Sequence, residues 1–215
     1  ADTAMNPGLI RGLYALIDPS WAPPSQLAES TAAAIRGGAR LLQYRDKDAS
    51  PAERVERARV VYAECRRAGA IFIVNDDVEL AFELMAHGVH LGEMDVTIAS
   101  ARARLGPLAI IGASCYDSVV NAQRAADAGA SYVAFGAFFP TRTKPNARHA
   151  EPFLLRKGRT LGLPLVAIGG ITPENGGELV AEGADALAVA SGLAGAEGVE
   201  ARARRYAALF ERDTG

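Results

Sequence analysis

Cysteine, histidine and tryptophan are all scarce in this chain of 215 residues, with two, three and one copies. Cys65 and Cys115 cannot build a disulfide framework, so a reducing compartment is expected. The histidines, His87, His90 and His149, show no metal-binding spacing, and His87, at a helix end, reads as structural. No stretch approaches the roughly 20 apolar residues that span a bilayer. Ala1 to Pro7 carries no basic segment followed by an apolar block, so no signal peptide is expected and a cytoplasmic location is. Neither charge is in excess: 23 Lys and Arg face 25 Asp and Glu, for a net charge of −2. That balance argues against a general nucleic-acid binder, although a local basic cluster can still hold phosphates.

What remains is a repeated pattern. With 49% hydrophobic and 22% charged residues the chain has the balance of a folded globular protein. Short apolar runs alternate with longer alanine-rich segments: Leu13–Ile17, Leu41–Tyr44, Ile71–Val74, Val89–Leu91, Leu108–Ile111, Tyr132–Phe139, Leu165–Ile168 and Ala186–Ala190. Continuous apolar runs separated by helical stretches spell parallel strands in βα units. Gly-Ala pairs precede four of them, at Gly38, Gly69, Gly129 and Gly183, where glycine suits the left-handed end of a helix. Ser50-Pro51-Ala52-Glu53 fits a capping box, and Thr172-Pro173 offers a similar start without the glutamate. Val55, Ala58, Val61, Tyr62 and Cys65 recur at helical spacing as one wall-facing stripe. A doubly wound sheet is the competing architecture, but no G-x-G-x-x-G follows the first run; Asp18-Pro19-Ser20-Trp21 stands there. The expectation is therefore an α/β fold, a TIM (β/α)8 barrel, as one domain over residues 1–215 with 1–11 as an N-terminal extension.

In such a barrel the loops after the strands gather at one mouth, where active sites lie. Alternation along a strand puts Leu41, Gln43 and Arg45 on the inward face, with Lys47 just beyond and Leu42 and Tyr44 toward the helices. An inward arginine is costly unless it has work to do. Asn75 shares parity with Ile71 and Ile73; Asp76 sits at the turn, and Asp77 suits a helix cap. Asp76 and Asp95 could share a hard cation such as Mg2+, which takes one or two carboxylates plus phosphate oxygens and water. Cys115 is a poor candidate for a nucleophile, since no histidine lies near it in sequence and a buried cysteine is usually a small hydrophobe. After the sixth run, Thr141-Arg142-Thr143-Lys144 between prolines makes a compact anion grip. Gly169-Gly170 and Ser191-Gly192 follow the seventh and eighth runs, where barrels commonly bind phosphate on backbone N–H groups. The mouth thus divides into a cation-and-carboxylate site suited to a diphosphate and a neutral nest suited to a monophosphate.

These segments, Gln43-Tyr44-Arg45-Asp46-Lys47, Val74-Asn75-Asp76, Gly88 to Gly92, Gly112-Ala113-Ser114, Phe139 to Lys144 and Ala167 to Ile171, resemble in order and spacing the signatures of the thiamine-phosphate synthase family. The resemblance covers roughly Gly12 to Leu193. It implies a transferase that joins a hydroxymethylpyrimidine diphosphate to a thiazole phosphate (or its carboxylated form) and releases pyrophosphate, with Mg2+ required. It assigns the diphosphate to Arg45, Lys47, Asn75 and Lys144 and the metal to Asp76 and Asp95. Gln43 would recognise the pyrimidine, Ser114 would lie beside the reacting groups, and Thr141, Thr143, Gly170 and Ser191 would surround the thiazole and its phosphate. Arg45, Lys47, Ser114 and Lys144 form the catalytic set so implied. The chain departs from the family pattern at Glu93, often glutamine, at Cys115, often histidine, and at Ala137, often proline. A thiazole tautomerase relative and a non-catalytic thiazole-phosphate sensor are the rival readings, and neither needs Arg45, Lys47, Asp76 and Lys144 together. Small-molecule partners only are expected, with neither nucleic acid nor membrane, assembly into a homo-oligomer left open, and the segment 144–152 as a lid.

Overall fold

The protein is described here from a computed structural model over residues 7–141 and 146–211. Strands and helices alternate as the apolar runs foretell. The first half runs β1 (Gly12–Ile17), α1 (Leu27–Arg36), β2 (Leu41–Tyr44), α2 (Pro51–Ala68), β3 (Ile71–Asn75), α3 (Val78–Glu83), β4 (Gly88–Leu91) and α4 (Ile98–Leu105). The second half runs β5 (Ile110–Tyr116), α5 (Val119–Asp127), β6 (Tyr132–Phe135), α6 (Phe153–Gly158), β7 (Leu165–Ile168), α7 (Gly176–Glu182), β8 (Ala186–Val189) and α8 (Val199–Ala207). All neighbouring strands pair in parallel and β8 pairs back onto β1, so the sheet closes into a barrel.

Alternation along the strands sorts side chains into two cores. Tyr14, Leu16, Leu41, Ile73, Ile110, Tyr132, Ala134, Val166 and Ala188 fill the barrel interior. Their sequence neighbours Ala15, Leu42, Tyr44, Phe72, Val74, Val89, Ile111, Val133 and Leu187 face the helices. The stripe on α2 packs as expected, with Ala58, Val61 and Cys65 buried and Val55 and Tyr62 against them. Helix α2 begins with the complete capping box: Ser50 accepts from the Glu53 N–H while Glu53 accepts from the Ser50 N–H. Gly38, Gly69, Gly129 and Gly183 all take positive φ, at 115°, 69°, 92° and 115°, ending a helix before the next strand.

Three elements, β5, β6 and α7, differ from the sequence expectation by more than one residue at a boundary. Strand β5 starts at Ile110 rather than Leu108, which is 58% exposed, and it runs on to Tyr116. Its later part, Gly112-Ala113-Ser114-Cys115-Tyr116, stays on β6, with the register shifting between Ser114 and Tyr116, although it is too polar to read as an apolar run. Strand β6 ends at Phe135, because Gly136 turns against Ile168, where an added Cβ would stand 2.3 Å from the Ile168 carbonyl oxygen. Phe138 and Phe139 then donate N–H bonds to Ile168 and Gly169, so the loop follows β7 instead of continuing the strand. Helix α7 starts at Gly176, after a turn closed by reciprocal bonds between Thr172 and Asn175.

Candidate active site

The carboxyl ends of the strands open onto a cavity of about 1170 Å³. Gln43 and Arg45 reach it from β2, Asn75 from β3 and Ser114 from β5, as parity along each strand requires. Thr141, Gly170 and Ser191 line it from the loops after β6, β7 and β8. Seven of the expected site residues therefore share one chamber. Thr143 and Lys144 lie outside the described residues, as do Arg142 and Pro145, so their places in the grip stay at the level of sequence.

Arg45 is not a solitary inward cation. Its Nη1 stands 2.5 Å from Asp18 Oδ2, and the side chains are only 20% and 9% exposed. Asp18 also accepts the Ser20 N–H at 2.9 Å, so a turn after β1 holds the carboxylate that aims the guanidinium. Asp46, in contrast, turns away from the mouth: it is buried against Arg57 at 2.8 Å and receives the Tyr44 hydroxyl.

Lys47 and Asp76 sit to one side, lining an adjoining cavity of about 300 Å³ that shares Asn75 with the larger one. Lys47 Nζ lies 3.2 Å from Asp76 Oδ2. Asp76 holds φ at 63°, a conformation side chains other than glycine adopt rarely, and its N–H is tied to the His90 carbonyl at 2.9 Å. Asp95 reaches the same place from the loop after β4. Burial raises its carboxyl pKa above the ordinary value, a hydrogen bond and repulsion from Asp76 raise it further, and the Gly92 N–H at 2.6 Å opposes both. Asp77 caps α3 by accepting the Leu80 N–H, the structural task expected of it.

Among the described residues, no group of three or more His, Cys, Asp or Glu gathers as a metal cage. The paired carboxylates of Asp76 and Asp95 nevertheless suit Mg2+, which keeps several waters and needs only one or two protein carboxylates beside a phosphate. Glu93 does not join them. It pairs with Arg148 at 2.8 Å, and that guanidinium lies 4.1 Å over the Tyr116 ring.

Across the mouth, Gly169 and Gly170 take φ of 104° and 62°. A Cβ on Gly170 would stand 2.4 Å from the Pro140 carbonyl oxygen, so glycine lets the loops after β6 and β7 touch. Ser191 opens a short 3-10 turn after β8. Helix α8 braces both loops from behind. The Tyr206 hydroxyl lies 2.9 Å from the Ile171 carbonyl and 3.1 Å from that of Gly192, and Arg202 Nε donates to Gly192 at 2.5 Å. Arg202 lines the cavity here, so the nest is not the neutral site expected from sequence, although Glu197 at 2.9 Å shares that charge.

The chamber floor is polar in a way the apolar runs conceal. Gln43 Nε2 donates to Tyr14 Oη at 2.9 Å, Tyr14 and Tyr132 hydroxyls meet at 2.8 Å, and His90 bridges Tyr132 and Ser114 at 2.8 Å on each side. Strand parity could have found Asp18, Tyr14, His90 and Tyr132, each of which shares the inward register of its strand. Cys115 points the other way, into the helix-facing core; burial pushes its thiol up to about 12, which leaves it no role as a nucleophile. His87 accepts the Phe72 N–H at 3.0 Å and is structural.

Comparison with known proteins agrees with this geometry. Residues 13–193 match the family model described as thiamine monophosphate synthase. The chain is 51% identical to the thiamine-phosphate synthase of Chromobacterium violaceum, over 95% of this chain and 98% of that one. It is 49% identical to the protein of the same name from Thioalkalivibrio sulfidiphilus, over 94% and 96% of the two chains. The solved thiamine phosphate pyrophosphorylase from Pyrococcus furiosus superposes with a TM-score of 0.87 at 34% identity, covering 97% of this chain and 99% of that one. Among the described residues no helix is long and apolar enough to cross a membrane. With the family model spanning most of the barrel and near-full-length relatives at half identity, the chain belongs to the thiamine monophosphate synthase family.

Proposed function

We propose that this chain couples hydroxymethylpyrimidine diphosphate to a thiazole phosphate, giving thiamine monophosphate and pyrophosphate, or to its carboxylated form, giving the same products with the carboxyl group lost as CO2. The observation that supports the reading is a mouth with two sides suited to anions: the cations Arg45 and Lys47 after β2, and the Gly170–Ser191 turns braced by α8. The bond from the pyrimidine methylene carbon to the diphosphate oxygen breaks, and the thiazole nitrogen takes up that carbon. Electron donation from the aminopyrimidine supports positive charge on the methylene, so the diphosphate can leave before the nitrogen attacks. Arg45, Lys47, Asn75 and Lys144 stabilise the departing charge, and Ser114 lies beside the reacting groups. Gln43 reads the pyrimidine, while Thr141, Thr143, Gly170 and Ser191 hold the thiazole phosphate in line. The nucleophile is a ring nitrogen with a lone pair, so no general base is needed.

Asp76 and Asp95 would hold Mg2+, whose charge neutralises the diphosphate oxygens. Small-molecule substrates and a single catalytic barrel in the cytoplasm complete the reading. A thiazole tautomerase has no diphosphate to grip and leaves the Arg45–Lys47 side without a task.

The test is to incubate the purified protein with both phosphorylated substrates and Mg2+ and to assay thiamine monophosphate. No product, under conditions in which a known synthase turns over, sinks the proposal. Asp95→Asn separates the metal role from a structural one. Its raised carboxyl pKa means that ionising Asp95 beside Asp76 costs the folded state stability as pH rises through the ordinary carboxylate range. At neutral pH the asparagine variant, without Mg2+, is therefore expected to melt at the same temperature or slightly higher. Its turnover should fall on the order of tenfold or more and need higher Mg2+. A lower melting temperature with an unchanged Mg2+ requirement would assign Asp95 to loop structure instead.

A further inference from the structure

The polar floor of the cavity is one unbroken file of hydrogen bonds, Gln43–Tyr14–Tyr132–His90–Ser114, with successive spacings of 2.9, 2.8, 2.8 and 2.8 Å. Counting hydrogens sets its direction. A phenol has a single hydrogen to give, and an amide N–H can only donate. Gln43 gives an N–H to Tyr14 Oη, and the buried Tyr14 hydrogen has the Tyr132 oxygen as its described acceptor; donation the other way would leave that hydrogen without one, so it goes on to Tyr132 Oη. Tyr132, already accepting, passes its own hydrogen to His90 Nδ1. Both phenols are buried, at 1% and 0% exposure, and burial pushes Tyr14 up to about 12 and Tyr132 well above the ordinary value. Both therefore keep their hydrogens at neutral pH.

With Nδ1 accepting, the hydrogen of a neutral imidazole sits on Nε2, 2.8 Å from Ser114 Oγ. The other tautomer, with its hydrogen on Nδ1, would turn that hydrogen onto a Tyr132 oxygen that already accepts from Tyr14, and would leave the Tyr132 hydrogen without its acceptor in a buried site. Ser114 Oγ accepts from His90, so the serine's own hydrogen must turn elsewhere, and Ser114 lines the cavity.

We infer that this file fixes His90 as the Nε2–H tautomer and sets Ser114 as a hydrogen-bond donor into the cavity, with Tyr14, Tyr132 and His90 as positioning residues. The inference rests on the synthase reading only for what receives the hydrogen: a substrate oxygen on which negative charge grows as the diphosphate departs. A hydroxyl held as a donor before substrate arrives needs no reorientation at the moment of reaction.

Tyr132→Phe tests it. The ring contacts stay, edge-on to Tyr14 with centroids 6.0 Å apart and stacked on His90 at 5.6 Å, but the hydroxyl that passes the hydrogen on is gone. Nitrogen NMR of the histidine-labelled, unliganded full chain, assigned with His90→Asn, is expected to show wild-type His90 protonated at Nε2 and pyridine-like at Nδ1. In Tyr132→Phe that preference should collapse toward a mixture of tautomers. Turnover should drop about tenfold, the worth of one hydrogen bond, with both KM values held within about threefold. In a Ser114→Ala background the same substitution should cost no further turnover, because the file acts only through that hydroxyl.

A wild-type His90 protonated at Nδ1, or at both nitrogens, at neutral pH overturns the inference. So does a Tyr132→Phe loss that multiplies independently with Ser114→Ala, or one that lowers the melting temperature and leaves the tautomer unmoved. Tyr14→Phe cuts the file one step earlier and carries the same expectations should Tyr132→Phe fold poorly. The NMR arm needs no turnover, so its outcome is separable from a failure of the synthase assay.

Discussion

Arg45→Met is expected to lower kcat on the order of a hundred- to a thousandfold, as loss of a charge that stabilises a transition state does. The guanidinium is only 20% exposed, at the inner end of β2, and Asp18 aims it into the chamber. A charge partly withdrawn from water acts on a departing diphosphate more strongly than a surface cation would. Methionine keeps much of the aliphatic volume and removes the fork of donors. The same change strands Asp18, leaving it 9% exposed with the Ser20 N–H as its remaining described partner, at an expected cost of about 2 kcal/mol. Asp18→Asn combined with Arg45→Met should recover stability without recovering turnover. Single-turnover kinetics and thermal unfolding on the three variants separate the effects. A kcat for Arg45→Met within about threefold of wild type would remove Arg45 from the diphosphate grip.

Gly88→Ala is expected to be the more damaging change to the fold, costing about 3–5 kcal/mol and lowering the melting temperature by about 10 °C or more. Gly88 pairs with Ile110 where β4 meets β5. An added Cβ would stand 1.8 Å from the Ile110 carbonyl oxygen, so the backbone itself blocks even the smallest side chain. Relief requires β4 and β5 to separate, and a closed barrel has no edge along which to let them part. Gly69→Ala is the control. Nothing lies within 4 Å of its added Cβ, and the cost is only that of a φ of 69°, about 1 kcal/mol. Equal losses at the two positions in thermal unfolding would mean that strand proximity is not what demands glycine at Gly88.

Much of the barrel and part of the lining of its mouth are legible from the alternation of side chains. Gln43, Arg45 and Asn75 were placed correctly by parity alone, because a strand buried on both faces leaves polar residues few other reasons to point inward. The same rule reaches Asp18, Tyr14, His90 and Tyr132, but other features of the sequence mask them. Tyr14 and Tyr132 count as apolar in a run, His90 has no metal-binding spacing, and Asp18 opens the Asp-Pro-Ser segment that follows the first run. What joins them is pairing between distant strands, Tyr14 to Tyr132 across 118 residues, and no local window holds that information. The brace from α8 was hidden for the same reason. Strand ends proved less legible than strand centres, since Gly112 to Tyr116 pair as a strand with too little apolar character to show it. The separation of Lys47 and Asp76 from the main chamber depends on the bend at Asp76, whose positive φ sequence does not announce.

Tyr206 and Arg202 of α8 also place the site on a timetable. During synthesis the cationic side of the mouth, from Asp18 to Asp95, leaves the ribosome first, while the helix that ties Ile171 to Gly192 follows some hundred residues later. On the proposed reading, the side chains assigned to the diphosphate are therefore synthesised well before those that complete the seat of the second substrate. The nest proposed to receive the thiazole phosphate takes shape only when β8 has closed onto β1 and α8 has locked the two loops together. Competence for both ligands is in that sense a signal that the ring is complete.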